Sequence, residues 1–530
     1  MAKDAHKELG LKQACEAAIQ HSQGVMTGNE LLFETRFDYM FPKLARSPGA
    51  RIAETEETLE ALVALGTAMA EAEGAEDAAL DSGVPAVFTY LGQFIDHDLT
   101  ARTDRDEDLT NLELLEVHGR RDPDLVIHKL FNGRRPQLDL DSVYGDGPGL
   151  VEMTGHGENR SVAERLGIFD SATLRLNVQT AGDKKIDLPR DDARDSAAQI
   201  GDSRNDENVM IGQLHAAFLA FHNAVFDRIA NDPALDHGSP ALNYARARQL
   251  VRWAYQWVVL NEYLPKVCAP AVVADTLANG PRYFGVSAGR DALFMPLEFS
   301  VAAFRFGHTM VRPEYDLNDQ TSRPIDELFF PARELDGRPK MVADNRLKDE
   351  FFVDWGRFVS GPDLQNARKF DHLLSRGLRN LRFEETTVDA LKRLAVRNLL
   401  RGFSLSLPTG QAVAKAMGIE PLPAELVVAE DAPGLADALG RNEFATRTPL
   451  FYYILREAAV MRSTPDAESG QHLGEVGSRI VSETLVGLVK EDPNGVLANR
   501  DDPAVQADGV DCAGIKVAGI GDILKGAGVF

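Results

Sequence analysis

A chain of 530 residues, 44% hydrophobic and 26% charged, has the balance of an ordinary globular protein and can bury a large core in one domain or several. Its net charge of -24 disfavours nucleic acid or an anionic membrane as a partner, since both select basic surfaces. Cys15, Cys268 and Cys512 stand far apart, without a CxxC or a disulfide framework, which fits a reducing compartment. The first residues lack an apolar core segment, and no uncharged apolar run of about 18 residues follows, so neither a secretory signal nor a membrane insertion is expected. A cytoplasmic location is the expectation, with signal-independent export left open.

In chain order, residues 54–73 carry acidic residues early and apolar ones at helical spacing, as a helix start should. Residues 209–230 hold an apolar stripe of Met210, Leu214, Phe218, Phe221, Val225 and Ile229. A further helix is expected over 241–263, built on Leu250, Trp253, Tyr255, Trp257 and Val258 and stopping before Pro265. Helical patterns recur at about 292–311, 387–402, 448–461 and 475–490. Strand-like alternation is scarce and short. Polar stretches at 102–125, 183–204, 313–349 and 463–474 punctuate the pattern, and the last forty residues, rich in Gly, Asp and Ala, are expected to form a loose C-terminal wrap. With no internal repeat or long linker, the expectation is a mainly α protein with little β structure: an N-terminal arm (1–24), one large domain (25–490) and a C-terminal extension (491–530).

Four segments carry chemistry. Gly-Gln-Phe-Ile-Asp-His-Asp-Leu-Thr at 92–100 sets Gln93 and His97 four apart, on one face of a helix, with Asp96 and Asp98 pointing elsewhere. Ile-Gly-Asp-Ser-Arg-Asn-Asp-Glu at 200–207 offers Arg204 and, three residues on, Glu207; the helix after it bears His215, His222 and Asn223. Phe-Arg-Phe-Gly-His-Thr at 304–309 contains Arg305 and His308, ahead of Pro313. Val-Arg-Asn-Leu-Leu-Arg-Gly at 396–402 contains Asn398. Taken singly each has a bland explanation: a buried histidine is usually a hydrogen-bonded core residue, and an arginine usually pairs at the surface. Together, and in this order, they resemble the animal-type haem peroxidases of the peroxidase–cyclooxygenase superfamily, over roughly residues 25–490.

The resemblance implies a large single-domain helical fold holding haem b. His308 would be the axial iron ligand and Asn398 the acceptor on its other ring nitrogen, which fixes the tautomer and raises ligand basicity. His97 would move a proton between the peroxide oxygens, because imidazole titrates near neutral pH. Arg204 would stabilise the negative charge on the departing oxygen, and Gln93 would hold a water network and help orient peroxide. Arg305 would contribute to cofactor binding. Asp96 and Glu207 match two carboxylates that esterify haem in vertebrate members, with simple hydrogen bonding as the alternative. Asn208 stands where the strongest chloride oxidisers carry a methionine, so bromide, iodide, thiocyanate or aromatic donors are the expected substrates beside hydrogen peroxide. His215 and His222 are expected to be structural.

The segment 135–145, Arg-Pro-Gln-Leu-Asp-Leu-Asp-Ser-Val-Tyr-Gly, resembles the family's calcium loop. Asp98, the Asp139 and Asp141 side chains and the Gln137 carbonyl would then be ligands, and three carboxylates are a reasonable core for calcium. Arg135 replaces the family's threonine, and turn or cap roles for Asp139 and Asp141 remain the alternative. The superfamily's fatty-acid dioxygenases use a tyrosine three residues before the proximal histidine; here that position is Arg305, which favours a peroxidase. A dioxygenase, a non-catalytic haem carrier or sensor, and an interaction protein on a relict scaffold are the competing functions. The sequence is silent on oligomeric state.

Overall fold

The computed structural model describes residues 35–530 except 72–76, 101–118, 133, 135, 146–167, 171, 192–195, 286–292, 330–340, 342–345, 380, 382–387, 430–431, 433 and 461–468. The expected N-terminal arm, Cys15 and Arg135 lie outside the described residues.

The protein is mainly helical, with strands of two to five residues gathered into small two- and three-stranded sheets. Its helices run α1 (Thr58–Ala68), α2 (Val87–Leu99), α3 (Val209–Asn231), α4 (Pro240–Val258), α5 (Pro270–Asn279), α6 (Leu394–Ser404), α7 (Gly410–Met417), α8 (Leu450–Val460), α9 (Glu475–Lys490) and α10 (Ile520–Gly526). One hydrophobic core runs through all of them.

Helix α3 is its axis. Asn208 caps it, accepting from the Ile211 amide at 3.0 Å, and α2, α4 and α10 pack around it. By length and composition α3 could cross a membrane, but 83% of its most apolar stretch is buried inside the protein, as befits a core helix. Phe94 of α2 stacks on Phe218 of α3 at 4.7 Å between centroids. The start of α2 is tied down by an antiparallel pair of Asp81–Pro85 with Asn366–Arg368, and its end by Asn132, whose Nδ2 donates to the Leu99 carbonyl at 2.7 Å. Gly92 allows α2 to pass Tyr263: a Cβ there would lie 2.6 Å from the Tyr263 hydroxyl. Likewise Gly66 lets α1 touch α6, because a Cβ would meet the Val396 backbone at 2.7 Å.

Three expectations need correction. The helix expected to stop before Pro265 instead passes through a π turn, Val259–Tyr263, and continues over Leu264–Val267. Pro265 falls in the first turn of that last piece, where a missing N–H costs nothing, and the wide turn before it relieves the ring. Of the helix expected over 292–311, residue 292 lies outside the described residues, Met295–Pro296 form a short strand, and the helical part is not α: a π turn at Glu298–Ala302 gives way to a 3₁₀ stretch at Ala303–His308, the register breaking at Ala302 (φ -126°, ψ -67°). The last forty residues are folded, not loose. Val505–Gln506, Gly509–Cys512 and Ile515–Val517 form an antiparallel sheet, followed by α10, and Val510, Cys512, Val517, Ile520, Ile523 and Leu524 are buried. Their apolar residues dock on α3 and α4, and Glu262 accepts the Ile520 amide at 2.7 Å. A Gly-rich composition hid short strands joined by tight turns.

Candidate active site

Between α2, the turn Ser203–Asp206, the 3₁₀ stretch Ala303–His308 and α6, the sequence-expected residues converge. On α2 every residue from Val87 to Leu99 is buried except Gln93 and Asp96. Within Ala303–His308 the half-buried residues are Arg305, Gly307 and His308. Those exceptions line an internal cleft, and a Cβ built on Gly307 would meet no atom within 4 Å. The two walls are joined by an ion pair, Arg305 Nη1 donating to Asp96 Oδ2 at 3.1 Å, while Arg305 Nε donates to the Ser300 carbonyl at 2.7 Å. Asp96 Oδ1 also accepts from Thr100 Oγ1 at 3.2 Å.

On one wall His97 is buried, and its Nδ1 lies 2.7 Å from Asn205 Oδ1. With the Asn205 carboxamide oxygen towards it, His97 would carry its hydrogen on Nδ1 and keep the lone pair on Nε2. Burial first, and then the Arg204 charge, push the His97 imidazole down to about 4, so it is neutral near pH 7. Arg204 donates through Nε to Asp202 Oδ1 at 3.1 Å, and through Nη2 to the carbonyls of His97 (3.0 Å) and Thr100 (2.6 Å). These bonds lock the guanidinium beside His97. Burial would raise the Asp202 carboxyl, but hydrogen bonds and charge from Arg204, with Arg134 beyond, hold it well below the ordinary carboxylate range. Gln93 spans the cleft floor: its Nε2 donates to Glu207 Oε2 at 3.3 Å, and its Oε1 accepts from Asn208 Nδ2 at 3.1 Å.

On the opposite wall His308 Nδ1 faces the Asn398 carboxamide at 2.9 Å, which makes Nε2 the ring nitrogen that would bind a metal. The amide nitrogen is the atom placed nearest; the expected acceptor arrangement follows by turning the amide plane over, which brings Oδ1 to the same point. A histidine so held, and a polar wall facing it across a cleft, fit a haem with one protein ligand and one open face.

Next to this cleft, Asp98, Asp139 and Asp141 bring carboxylate oxygens within 4.8 Å of one another. Asp98 Oδ1 and Asp139 Oδ1 are buried without a hydrogen-bond partner. Burial, then Asp141 and Asp139, raise the Asp98 carboxyl, and burial lifts Asp141 to about 7 against the pull of Arg134. The Gln137 carbonyl accepts from Gln256 Nε2 at 3.2 Å. Among the described residues Arg134 brings a cation to this cluster: its Nη1 donates to Asp141 Oδ1 at 2.9 Å and its Nη2 pairs with Asp202. A continuous chain Arg204–Asp202–Arg134–Asp141 therefore links the cleft to the acidic cluster.

Sequence reasoning missed Asp202, Asn205 and Arg134. Asp202 carried a signal, because an acidic residue opening a short helical turn is a cap; it accepts from the Arg204 amide at 3.0 Å. Asn205 carried none. His215, expected to be structural, lies within hydrogen-bond reach of Asn205, its Nδ1 being 2.9 Å from Asn205 Nδ2. His222 packs between Tyr144 and Tyr244, away from the cleft.

Comparison with known proteins accords with this geometry. A family model described as animal haem peroxidase matches residues 138–423, more than half the chain. That span holds Arg204, Glu207, His308 and Asn398 but not α2. A peroxidase-like protein of Margaritifera margaritifera is 26% identical over 268 residues, covering 46% of this chain and 33% of that protein. Thyroid peroxidase of Mus musculus is 27% identical over 314 residues, covering 56% of this chain and 32% of that one. The chain thus spans about a third of the length of the curated relatives it matches. Among solved structures, peroxidase A of Dictyostelium discoideum superposes with a TM-score of 0.59 at 16% identity, over 93% of this chain and 94% of that one. The Oryza sativa fatty acid alpha-dioxygenase gives 0.57 at 13% identity, over 90% and 79%. Both show the same fold. The chain belongs to the animal haem peroxidase family.

Proposed function

We propose that the protein is a haem-dependent peroxidase that reduces hydrogen peroxide and oxidises a small donor, such as a halide other than chloride, thiocyanate or an aromatic compound. The observation that carries this reading is the neutral His97, its Nε2 unprotonated and Arg204 locked beside it, facing a cleft whose other wall presents His308. Holding haem needs neither His97 nor Arg204 in this state; cleaving peroxide needs both.

Haem, when bound, would supply the redox chemistry by which peroxide is reduced and a donor oxidised. His97 Nε2 removes the peroxide proton and returns it to the departing oxygen. The Arg204 guanidinium stabilises the charge that develops there, and Gln93, held by Glu207 and Asn208, keeps its amide at the cleft edge. His308 binds the iron through Nε2 and Asn398 steadies the imidazole. Asp96 and Glu207, beside His97 and Gln93, would be the carboxylates that esterify the haem. Arg305, paired with Asp96, stands where a dioxygenase would need an oxidisable tyrosine.

The acidic cluster is proposed to hold calcium: two buried carboxylate oxygens without partners, among three crowded acids, are relieved by a divalent cation. The Gln137 carbonyl would be a fourth ligand.

The test is the absorption spectrum of protein expressed with haem, before and after one equivalent of hydrogen peroxide, followed by acid–acetone extraction. A Soret band that shifts with peroxide supports the reading, and haem retained through extraction supports the esters. A Soret band indifferent to peroxide leaves a carrier or sensor, and protein without haem overturns the proposal. Added calcium should raise the melting temperature, and Asp139→Asn should abolish that gain.

A further inference from the structure

Three buried side chains form a line behind the cleft: His97, Asn205 and His215, of which Asn205 and His215 are fully buried. Asn205 sits in the same tight turn as Arg204, its own amide donating to the Asp202 carbonyl at 3.0 Å, so one turn sets both the guanidinium and the carboxamide. Its Oδ1 is 2.7 Å from His97 Nδ1 and its Nδ2 is 2.9 Å from His215 Nδ1. A carboxamide has one accepting and one donating end, so it dictates opposite states to the two rings it joins. With Oδ1 on His97, that ring carries its hydrogen on Nδ1, and His215 must accept through Nδ1 and carry its hydrogen on Nε2. Turning the amide over would reverse both rings and put a hydrogen on His97 Nε2, where the proton acceptor is needed. His215 is fixed in turn by α3 and by the edge of the Phe94 ring at 6.0 Å.

We propose that Asn205 and His215 are positioning residues that hold His97 as the Nδ1–H tautomer, keeping Nε2 free to take a proton inside the cleft. The inference rests on the proposed peroxidase reading, which makes His97 the proton acceptor, and extends it to two residues outside the cleft. A neutral imidazole without such a partner divides its hydrogen between both nitrogens. Each molecule with the hydrogen on Nε2 is then unable to start the reaction.

Hydrogen cyanide tests this on the haem-loaded protein without peroxide turnover. As its carbon binds iron the H–C bond breaks and the proton passes to His97 Nε2, so the association rate reads that nitrogen. Asn205→Leu, alike in heavy-atom branching but unable to accept, should slow cyanide association about tenfold to a hundredfold, while Asn205→Asp, which still accepts, should return it to within about threefold of the parent. Carbon monoxide binding to the reduced protein needs no proton and should be unchanged in both. Cyanide association at the parental rate in Asn205→Leu, or an Asn205→Asp variant as slow as Asn205→Leu, would overturn the proposal. Nitrogen-15 spectra of the histidine-labelled, haem-free chain, with His97 assigned by His97→Gln, read the tautomer directly. Nδ1–H in the parent with a shift towards Nε2–H in Asn205→Leu supports the proposal, and Nε2–H in the parent overturns it. A parent that takes up no haem would defeat the peroxidase reading alone, since the tautomer would still be read.

Discussion

The two walls of the cleft are built on different economies. On the α2 side the polar groups sit on and beside a regular helix: Arg204 is held by Asp202 and two carbonyls, Gln93 by Glu207 and Asn208, and His97 by Asn205. On the other side His308 bonds to Asn398 and sits at the end of a 3₁₀ stretch that follows a π turn. The difference follows from the work each does. A metal bond is strong and directional and orients its own ligand once the ring nitrogen is free. Proton transfer depends on which nitrogen carries the hydrogen and on where a charge stands, and small displacements are costly there.

That contrast sets the expected sizes of perturbation. The largest is Asp202→Ala, which strands Arg204 and Arg134 without their shared carboxylate in a site where Asp202 is almost wholly buried. Loss of one member of a buried pair typically costs about 3–5 kcal/mol, so denaturant unfolding should show a drop of that order. A loss below about 1 kcal/mol would show that the network is solvent-screened, and the contrast between the walls would be lost. Arg204→Ala should lower the rate of the peroxide reaction by about 10²–10³, read by stopped flow at the Soret band, with haem content unchanged. On the opposite wall Asn398→Ala should weaken haem uptake by about 10–100-fold when the haem-free protein is titrated with haem in the absence of peroxide, and leave unfolding of the haem-free protein close to the parent. Should Asn398→Ala destabilise the haem-free chain as much as Asp202→Ala, the two walls would be equivalent frameworks after all.

A separate effect, outside both walls, is one of pH. Burial holds the His215 and His222 imidazoles down to about 3, below the ordinary histidine value near 6.5. As pH falls the unfolded chain takes up these protons first, so this contribution is complete above about pH 6.5 and is lost progressively towards pH 3. The slope is about 1.4 kcal/mol per pH unit for each histidine between those limits. In urea titrations between pH 6 and pH 4, His222→Phe should remove one such increment from the slope. An unchanged slope would mean that His222 is protonated in the folded protein.

Much of the architecture was legible in order along the chain because amphipathic periodicity is a local property. The stripe from Met210 to Ile229 became α3 (Val209–Asn231), and the patterns near 448–461 and 475–490 became α8 and α9 almost residue for residue. Places where neighbours overrode local preference were not legible. The helix ran past Pro265 because a π turn absorbed the ring, and the last forty residues became a sheet and a helix because α3 and α4 offered them a surface.

For the site, the sequence alone determined which residue types were present and in what order: Gln93 and His97 one helical turn apart, Arg204 three residues from Glu207, and His308 and Asn398 far downstream. Side-chain spacing on a helix and the chemistry of each group follow from covalent structure, so they can be read without a fold. The tertiary structure decided what holds them. Asn205 meets His97 across 108 positions of chain, Arg305 meets Asp96 across 209, and Asn398 meets His308 across 90. It also decided that Arg134 joins Asp141 to Asp202. A hydrogen bond between residues so far apart is specified by packing over the whole core, and a tautomer or an ion pair is specified only once that bond exists.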